Sequence, residues 1–261
     1  MNKFHPSTQS KPASQLHLRS PLLIKISFCG VFVGGLVAII VTRLIFNQHH
    51  AHWYEDTIPS ISKTGALAPA DTVFAVIMGA TGLFILATWI YTFAFNKAQI
   101  EKLDRTGAYP LWNKIVLALG LSEGVSVSLM AIISLEVHDN LHIFLSICVF
   151  TFGALAFLAE SFALGRWRYR IKEPTAPLPK SFHLRQLTAV TVSILGLSFL
   201  YLFLERESGP IVDFYTTQII YIANEHLLAI LQFSYALLLL PEVLAHFSTE
   251  MTPTPIRCHD D

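Results

Sequence analysis

Apolar residues fall along this chain in six long runs separated by polar segments. A bilayer core of about 30 Å needs roughly 20 mostly apolar residues per helix. Leu22–Phe46, Thr72–Phe95, Trp112–Leu135, Leu141–Leu164, Leu187–Leu204 and Gln218–Leu240 meet or approach that length, the fifth being shortest at 18 residues. Strands of a membrane barrel would alternate apolar and polar positions over about 10 residues, and Val73–Phe95 shows no such alternation. The pattern predicts an all-α fold: a polytopic membrane protein with six transmembrane helices. The first run is 25 residues long, against about 7–15 for the apolar region of a signal peptide, so it reads as a retained helix. The expected organisation is a tail over residues 1–21, a six-helix transmembrane domain over 22–240 and a second tail over 241–261.

Composition agrees with the pattern and removes other classes. Hydrophobic residues make up 53% and charged residues only 14%, where an ordinary soluble domain carries roughly 25% charge. Mean hydropathy is +0.52. These values exclude a soluble enzyme, a disordered chain and a nucleic-acid binder, and the net charge of zero gives no bulk field for an anionic partner. Lys and Arg are unevenly placed: 15 of the 18 lie in or beside the two tails, Asn96–Leu111 and Gly165–Gln186. Only Arg43, Lys63 and Arg206 fall on the other side. By the positive-inside bias both termini are expected in the cytosol, with Asn47–Asp71, Glu136–Asn140 and Glu205–Thr217 facing the lumen or the exterior. The chain has no internal repeat of the kind that marks transporters. Cys29 and Cys148 lie within spans and Cys258 lies in the second tail, which leaves no lumenal disulfide, and no Asn-x-Ser/Thr acceptor occurs.

The polar residues inside the spans carry most of the chemical information. Lys25, Arg43, Lys114 and Glu160 stand within five residues of a span end and are expected to snorkel to the interface. Glu123 is at the centre of the third span and Glu225 lies about two turns inside the sixth. A charge at mid-bilayer costs at least about 2.5 kcal/mol, so each needs compensation. Ser122, Ser126 and Ser128 surround Glu123; Asn224 and His226 flank Glu225. Two readings of Glu123 stand: a protonated, hydrogen-bonded tie between helices, or the lining of a lipid or proton pathway. The side opposite the basic segments is rich in histidine, with His49, His50, His52, His138, His142 and His226. A His-x-x-x-His pair at 138 and 142 supplies two metal ligands if both rings share a helix face. Interfacial hydrogen bonding and pH sensing are the other readings, and neither a metal nor a cofactor is expected. No nucleophile elbow, P-loop or dinucleotide fingerprint is present. Gly34-Gly35 and Gly79-x-x-Gly82 suit close helix packing. The run Arg166-Trp167-Arg168-Tyr169-Arg170-Ile171-Lys172 suits a topology determinant whose aromatics sit among headgroups.

The segment Ile58-Pro59-Ser60-Ile61-Ser62-Lys63-Thr64-Gly65, followed by Pro69, Asp71 and the second span, resembles the signature of the damage-regulated autophagy modulator (DRAM) family within the Frag/Sfk superfamily. Asp71 stands near a position where the family usually has Glu, and His226 follows Glu225 where the family has Trp. Leu119-Gly120-Leu121 through Gly124, and Val137-His138, resemble further family features. The likeness runs from about Leu22 to Glu242. It implies a non-enzymatic multi-pass protein of lysosome, Golgi or plasma membrane. The same superfamily holds a Golgi factor for GPI-anchor lipid remodelling and Sfk-type regulators of membrane lipids. In its own right the segment reads as an ordered turn: Pro59 keeps its predecessor extended, Ser60 and Ser62 bond local backbone and Gly65 permits a turn.

These readings combine into a DRAM-like endomembrane protein that modulates autophagy, lysosomal function or lipid homeostasis. Its expected partners are membrane lipids, with a membrane-protein partner as a further option and no nucleic acid. The alternatives are a lumen-facing lipid-remodelling enzyme using Glu123, His138, His142 and Glu225, and a proton-coupled small transporter. The candidate polar cluster is Glu123, His138, His142, Glu225 and His226, beside Pro59, Ser60, Ile61, Ser62, Thr64, Gly65 and Pro69. The charge split makes orientation testable: reporters fused at Met1 and at Asp261 should both report the cytosol, and a lumenal signal from either overturns the assignment.

Overall fold

The computed structural model describes residues 20–52, 59–102, 107–172, 180–208 and 214–249. The regular structure there is helical: α1 (Pro21–His49), the single turn α2 (Ile61–Thr64), α3 (Ala70–Lys102), α4 (Tyr109–Ile132), α5 (Asp139–Leu158), α6 (Arg166–Lys172), α7 (Lys180–Ser208) and α8 (Phe214–Thr249). A π-helical stretch, Ala159–Gly165, joins α5 to α6. Six helices are long and apolar enough to cross a membrane, the fourth running from Asp139 through the π stretch to Tyr169. Most of both tails, Cys258 included, lies outside the described residues.

Most helix ends lie beyond the apolar runs, because a helix continues wherever its neighbours cover it, whether or not the residues are apolar; α4 is an exception, stopping at Ile132 short of Leu135. Pro21 opens α1 at a position where its missing N–H costs nothing. The last helix passes through Pro241 and ends at Thr249 rather than Leu240. Pro241 removes one helical hydrogen bond, but Val243 and Phe247 beyond it are packed in the core and hold the final turns.

Each span packs on the next in chain order, and α8 closes the ring onto α1 while also touching α3 and α5. The inner face of α8 therefore lies near the centre. Tyr221, Glu225, Leu228, Gln232, Tyr235 and Leu239 on that face are all buried. They recur at alternating steps of four and three residues, and Glu242 follows three further on, which is the spacing of one helical face. Polar members of this stripe meet partners in three tiers along the bundle.

The middle tier centres on Glu123. Its Oε2 accepts the Trp89 indole N–H at 3.0 Å and its Oε1 accepts the Gln232 amide at 2.6 Å. Gln232 also donates to the Val149 carbonyl at 3.0 Å. The serines near Glu123 in sequence supply none of these bonds. A Cβ on Gly153 would stand 2.2 Å from Gln232 Nε2 and 2.7 Å from Glu123 Oε1, so only glycine leaves room for the tie. A Cβ on Gly82 would meet the Gly124 carbonyl oxygen at 2.8 Å; there α3 and α4 touch backbone to backbone, as small residues in membrane helices permit.

The second tier corrects an expectation. Glu160 does not reach for the interface; it is wholly buried. Its Oε1 takes a hydrogen bond from Arg168 at 2.7 Å and its Oε2 takes one from the Tyr235 hydroxyl at 2.7 Å. Arg185, also wholly buried, lies 2.8 Å from Glu242 and 3.8 Å from Glu160, and Arg168 lies 3.3 Å from Glu242. Arg168 further donates to Asn96, and Tyr169 to Glu242. Two guanidinium groups face two carboxylates, so the cluster is neutral. Removing one member of such a set costs about 3–5 kcal/mol, because its partner keeps an uncompensated buried charge. The π stretch makes the set possible, since a local i→i+5 turn resets the register and brings Arg168 to Glu160 eight residues earlier. Trp167, expected among headgroups, is likewise buried and stacks on Tyr109 with ring centroids 4.4 Å apart.

Candidate functional site

The third tier lies at the opposite end of the bundle and is built on the 59–65 segment. Ser60 caps α2 by accepting the Lys63 N–H at 3.1 Å. The Thr64 hydroxyl donates to the Ile61 carbonyl at 2.8 Å, and the Gly65 N–H reaches the same carbonyl at 3.2 Å. These local bonds turn the segment inward, so Pro59, Ile61, Thr64 and Gly65 are buried while Ser62 is half-buried. Beyond it, Asp71 accepts the Thr72 N–H at 2.6 Å in the first turn of α3.

Two spans hold the turn in place. Arg43 of α1 donates to the Pro59 carbonyl at 2.7 Å and stands 3.1 Å from His226 Nε2. His226 Nδ1 lies 2.7 Å from the Ile222 carbonyl. A carbonyl only accepts, so Nδ1 carries the proton and Nε2 accepts from Arg43. Glu225, 4% exposed, accepts the Ile61 N–H on Oε2 at 3.0 Å. Lys63 pairs with Glu136 ahead of α5. Arg43, expected to snorkel, is thus a strut of the site: its position near the span end leaves it within reach of Pro59.

The two histidines of the 138–142 pair part company. His138 is exposed and occupies the N-cap of α5 in a non-helical conformation, so it shares no helix face with His142. His142 is 2% exposed and its Nδ1 lies 2.6 Å from the Ile133 carbonyl. By the same reasoning Nδ1 donates and the neutral ring offers Nε2 as an acceptor, and that atom has no hydrogen-bond partner among the described residues. Glu123 belongs to the middle tier, away from these groups, and Pro69 is exposed just before α3. Among the described residues no three His, Cys, Asp or Glu side chains are grouped to hold a metal ion.

Glu225, His142, Ser60 and Ser62 line one end of a chamber of about 990 Å³, its open mouth included. Its walls are mostly apolar, with Met78 from α3, Val127 and Met130 from α4, Phe150 from α5, Phe199 from α7 and Phe233 from α8, and with Ser146 and Tyr221 as further polar members. Apolar walls with a few convergent polar groups are the usual make-up of a small-molecule site. Sequence reasoning missed Arg43, Trp89 and Gln232 as members of the polar tiers. Gln232 had a signal, since it follows Glu225 by seven residues and so shares its helix face; Trp89 and Arg43 had none.

Residues 21–243 match the family described as the Frag1/DRAM/Sfk1/Cwh43P N-terminal domain. The chain belongs to the Frag1/DRAM/Sfk1/Cwh43 family. No curated protein and no solved structure matches it. This Frag1/DRAM-family chain is a multi-pass membrane protein, and the family match takes in its first five spans and α8 as far as residue 243.

The bond from Arg43 to Pro59 predicts how the chamber is closed. With Arg43→Ala, the 59–65 turn loses its tie to α1 while keeping its own local bonds. A Cys placed at Ser62 should then react with a membrane-impermeant maleimide about tenfold faster than in the Arg43 background, the effect of one lost charge-assisted hydrogen bond. An unchanged rate shows that the turn is held without Arg43.

Proposed function

We propose that the protein is a non-enzymatic modulator of lipid homeostasis or lysosomal function in autophagy, acting in an endomembrane by holding a membrane lipid in the chamber beneath the 59–65 turn. In this reading both termini are cytosolic, the chamber faces the lumen, and the compartment is the lysosome. The observation that carries it is the chamber itself, whose apolar walls come from the spans and whose polar groups gather at one end. That division matches an amphiphile, with apolar surface buried at roughly 25 cal/mol per Å² and few polar groups to orient the head.

The alternative of a lipid-remodelling enzyme drew on Glu123, His138, His142 and Glu225 acting together. The geometry disfavours that assembly: His138 is exposed at a helix cap and Glu123 is tied to Trp89 and Gln232. His142 and Glu225, which do line the chamber, also hold the Ile133 carbonyl and the Ile61 N–H. Their arrangement is that of a binding site with structural duties.

Native mass spectrometry of the purified chain tests the reading. The wild type should retain about one lipid per chain through delipidating detergent exchange. Ala229→Trp, which fills the chamber, should lose it with little change in thermal midpoint. Absence of retained lipid in the wild type, or equal retention in the variant, overturns the proposal. A tagged chain found at the plasma membrane instead of lysosomes overturns the compartment assigned here.

A further inference from the structure

The chamber does not end at its walls. A second cavity of about 640 Å³ runs between α5 and α7, and Ile147, Phe150 and Phe199 line both. The rings of Phe150 and Phe199 meet edge to face with centroids 5.0 Å apart, so this pair is the partition between the two spaces. Leu155 and Leu197 also line the second cavity, 46% and 71% exposed, which makes it a groove open to the surroundings of the bundle. The helix forming one wall, α7, is the least covered span: 22% of its apolar window is buried, against 39–44% for the other five. Gly196 lies in the groove, and a Cβ there would meet nothing within 4 Å. This glycine is not needed for helix packing, unlike Gly82 or Gly153.

One face of α5 serves both spaces. Ile143, Ile147 and Phe150 line the chamber; Ile147, Phe150, Ala154 and Leu158 line the groove. Their steps of three and four residues keep them on a single stripe. From His142 at the polar end to Leu158 is sixteen residues of one helix, or about 24 Å at about 1.5 Å per residue. One leaflet holds about 15 Å of hydrocarbon, half of a core of about 30 Å. The two spaces end to end are therefore longer than a leaflet is deep. Along the groove the chemistry is that of hydrocarbon. Thr151 and Ser193 are its only side chains with a polar atom, and the Ser193 hydroxyl donates to the Ala189 carbonyl of its own helix at 2.8 Å.

We infer that chamber and groove form one continuous site for a single extended lipid chain, which enters sideways between α5 and α7 and threads past Phe150 and Phe199. The inference rests on the lipid-binding reading above and adds the chain's route and seat. A chain arriving through the turn at 59–65 would cross water; one arriving through the groove stays in an apolar medium throughout. Bulk lipid cannot account for a chain held in this way, because filling the chamber displaces the held chain and leaves the outer surface of the bundle as it was.

The full chain is reconstituted in phosphatidylcholine nanodiscs. Each carries a trace of one probe with a diazirine at the far end of one chain: phosphatidylcholine, phosphatidylethanolamine, phosphatidylserine or sphingomyelin. After photolysis the labelled residues are mapped. With at least one probe, label on Thr151, Leu155 and Leu158 should exceed label on Ile40 of α1 and Leu83 of α3, which are exposed on other spans. Ala229→Trp, acting from the chamber, should remove most groove label and spare Ile40 and Leu83. Gly196→Phe, acting from the groove, should do the same at unchanged thermal midpoint. Ala229→Leu and Gly196→Leu are the substitutes if the larger side chains prevent folding. Groove label no stronger than that on Ile40 and Leu83 with every probe, or groove label unaffected by filling the chamber or by the Gly196 variant, means bulk lipid only and overturns this inference. Those results leave the chamber reading standing if native mass spectrometry still finds a lipid that Ala229→Trp removes; failure of that retention is what defeats the earlier reading.

Discussion

Inside a bilayer a polar side chain has no water to fall back on, so ionisable and amide groups drawn into the bundle pair with one another or with backbone carbonyls. That constraint organises this molecule, and α8 is where it is met. One face of α8 carries Glu225, Gln232, Tyr235 and Glu242. These reach, in turn, the 59–65 turn, the Glu123–Trp89 pair, and the set around Glu160, Arg168 and Arg185. Apolar packing between helices gains little in lipid, whose tails are as apolar as leucine; small residues and interhelical hydrogen bonds supply the specificity instead. Gly153, which leaves room for Gln232 to meet Glu123, is part of the same solution.

The three tiers do different things. Around Glu160 the charges cancel and the aromatic rings of Phe95 and Phe182 lie near the guanidinium groups of Arg168 and Arg185, 4.9 and 5.3 Å from the ring centroids. That end is closed. The middle tier is a tight contact of four helices, α3, α4, α5 and α8. Under the 59–65 turn the bundle opens into the chamber that His142 and Glu225 line.

The spans were legible because long apolar runs have few alternatives at this length, and the family likeness was legible in one short turn, Pro59–Gly65. Their ends were less so: α8 runs on through Pro241, since tertiary cover and not composition decides where it stops. Glu160 was misplaced by a rule about distance from a span end. The rule assumes the side chain points out along the bundle, whereas the π stretch at 159–165 turns Glu160 and Arg168 inward together. Glu123 stood out as needing a partner, but its partners lie 34 and 109 residues away, a relation no local pattern encodes. The chamber was illegible for the same reason, as it is bounded by residues from six separate helices and the turn.

The tie between Glu123 and Gln232 is the plainest expression of the account. It is measured by a double-mutant cycle in reversible unfolding from detergent, using Glu123→Leu, Gln232→Leu and the pair. Buried hydrogen bonds between membrane helices average about 0.6 kcal/mol and reach about 1.7 kcal/mol; a desolvated carboxylate acceptor belongs near the top of that range. The account predicts a coupling of about 1 kcal/mol or more, with the double variant losing much less than the sum of the singles. Losses that add to within about 0.3 kcal/mol would contradict it, because the polar stripe of α8 would then line the interior without holding it together.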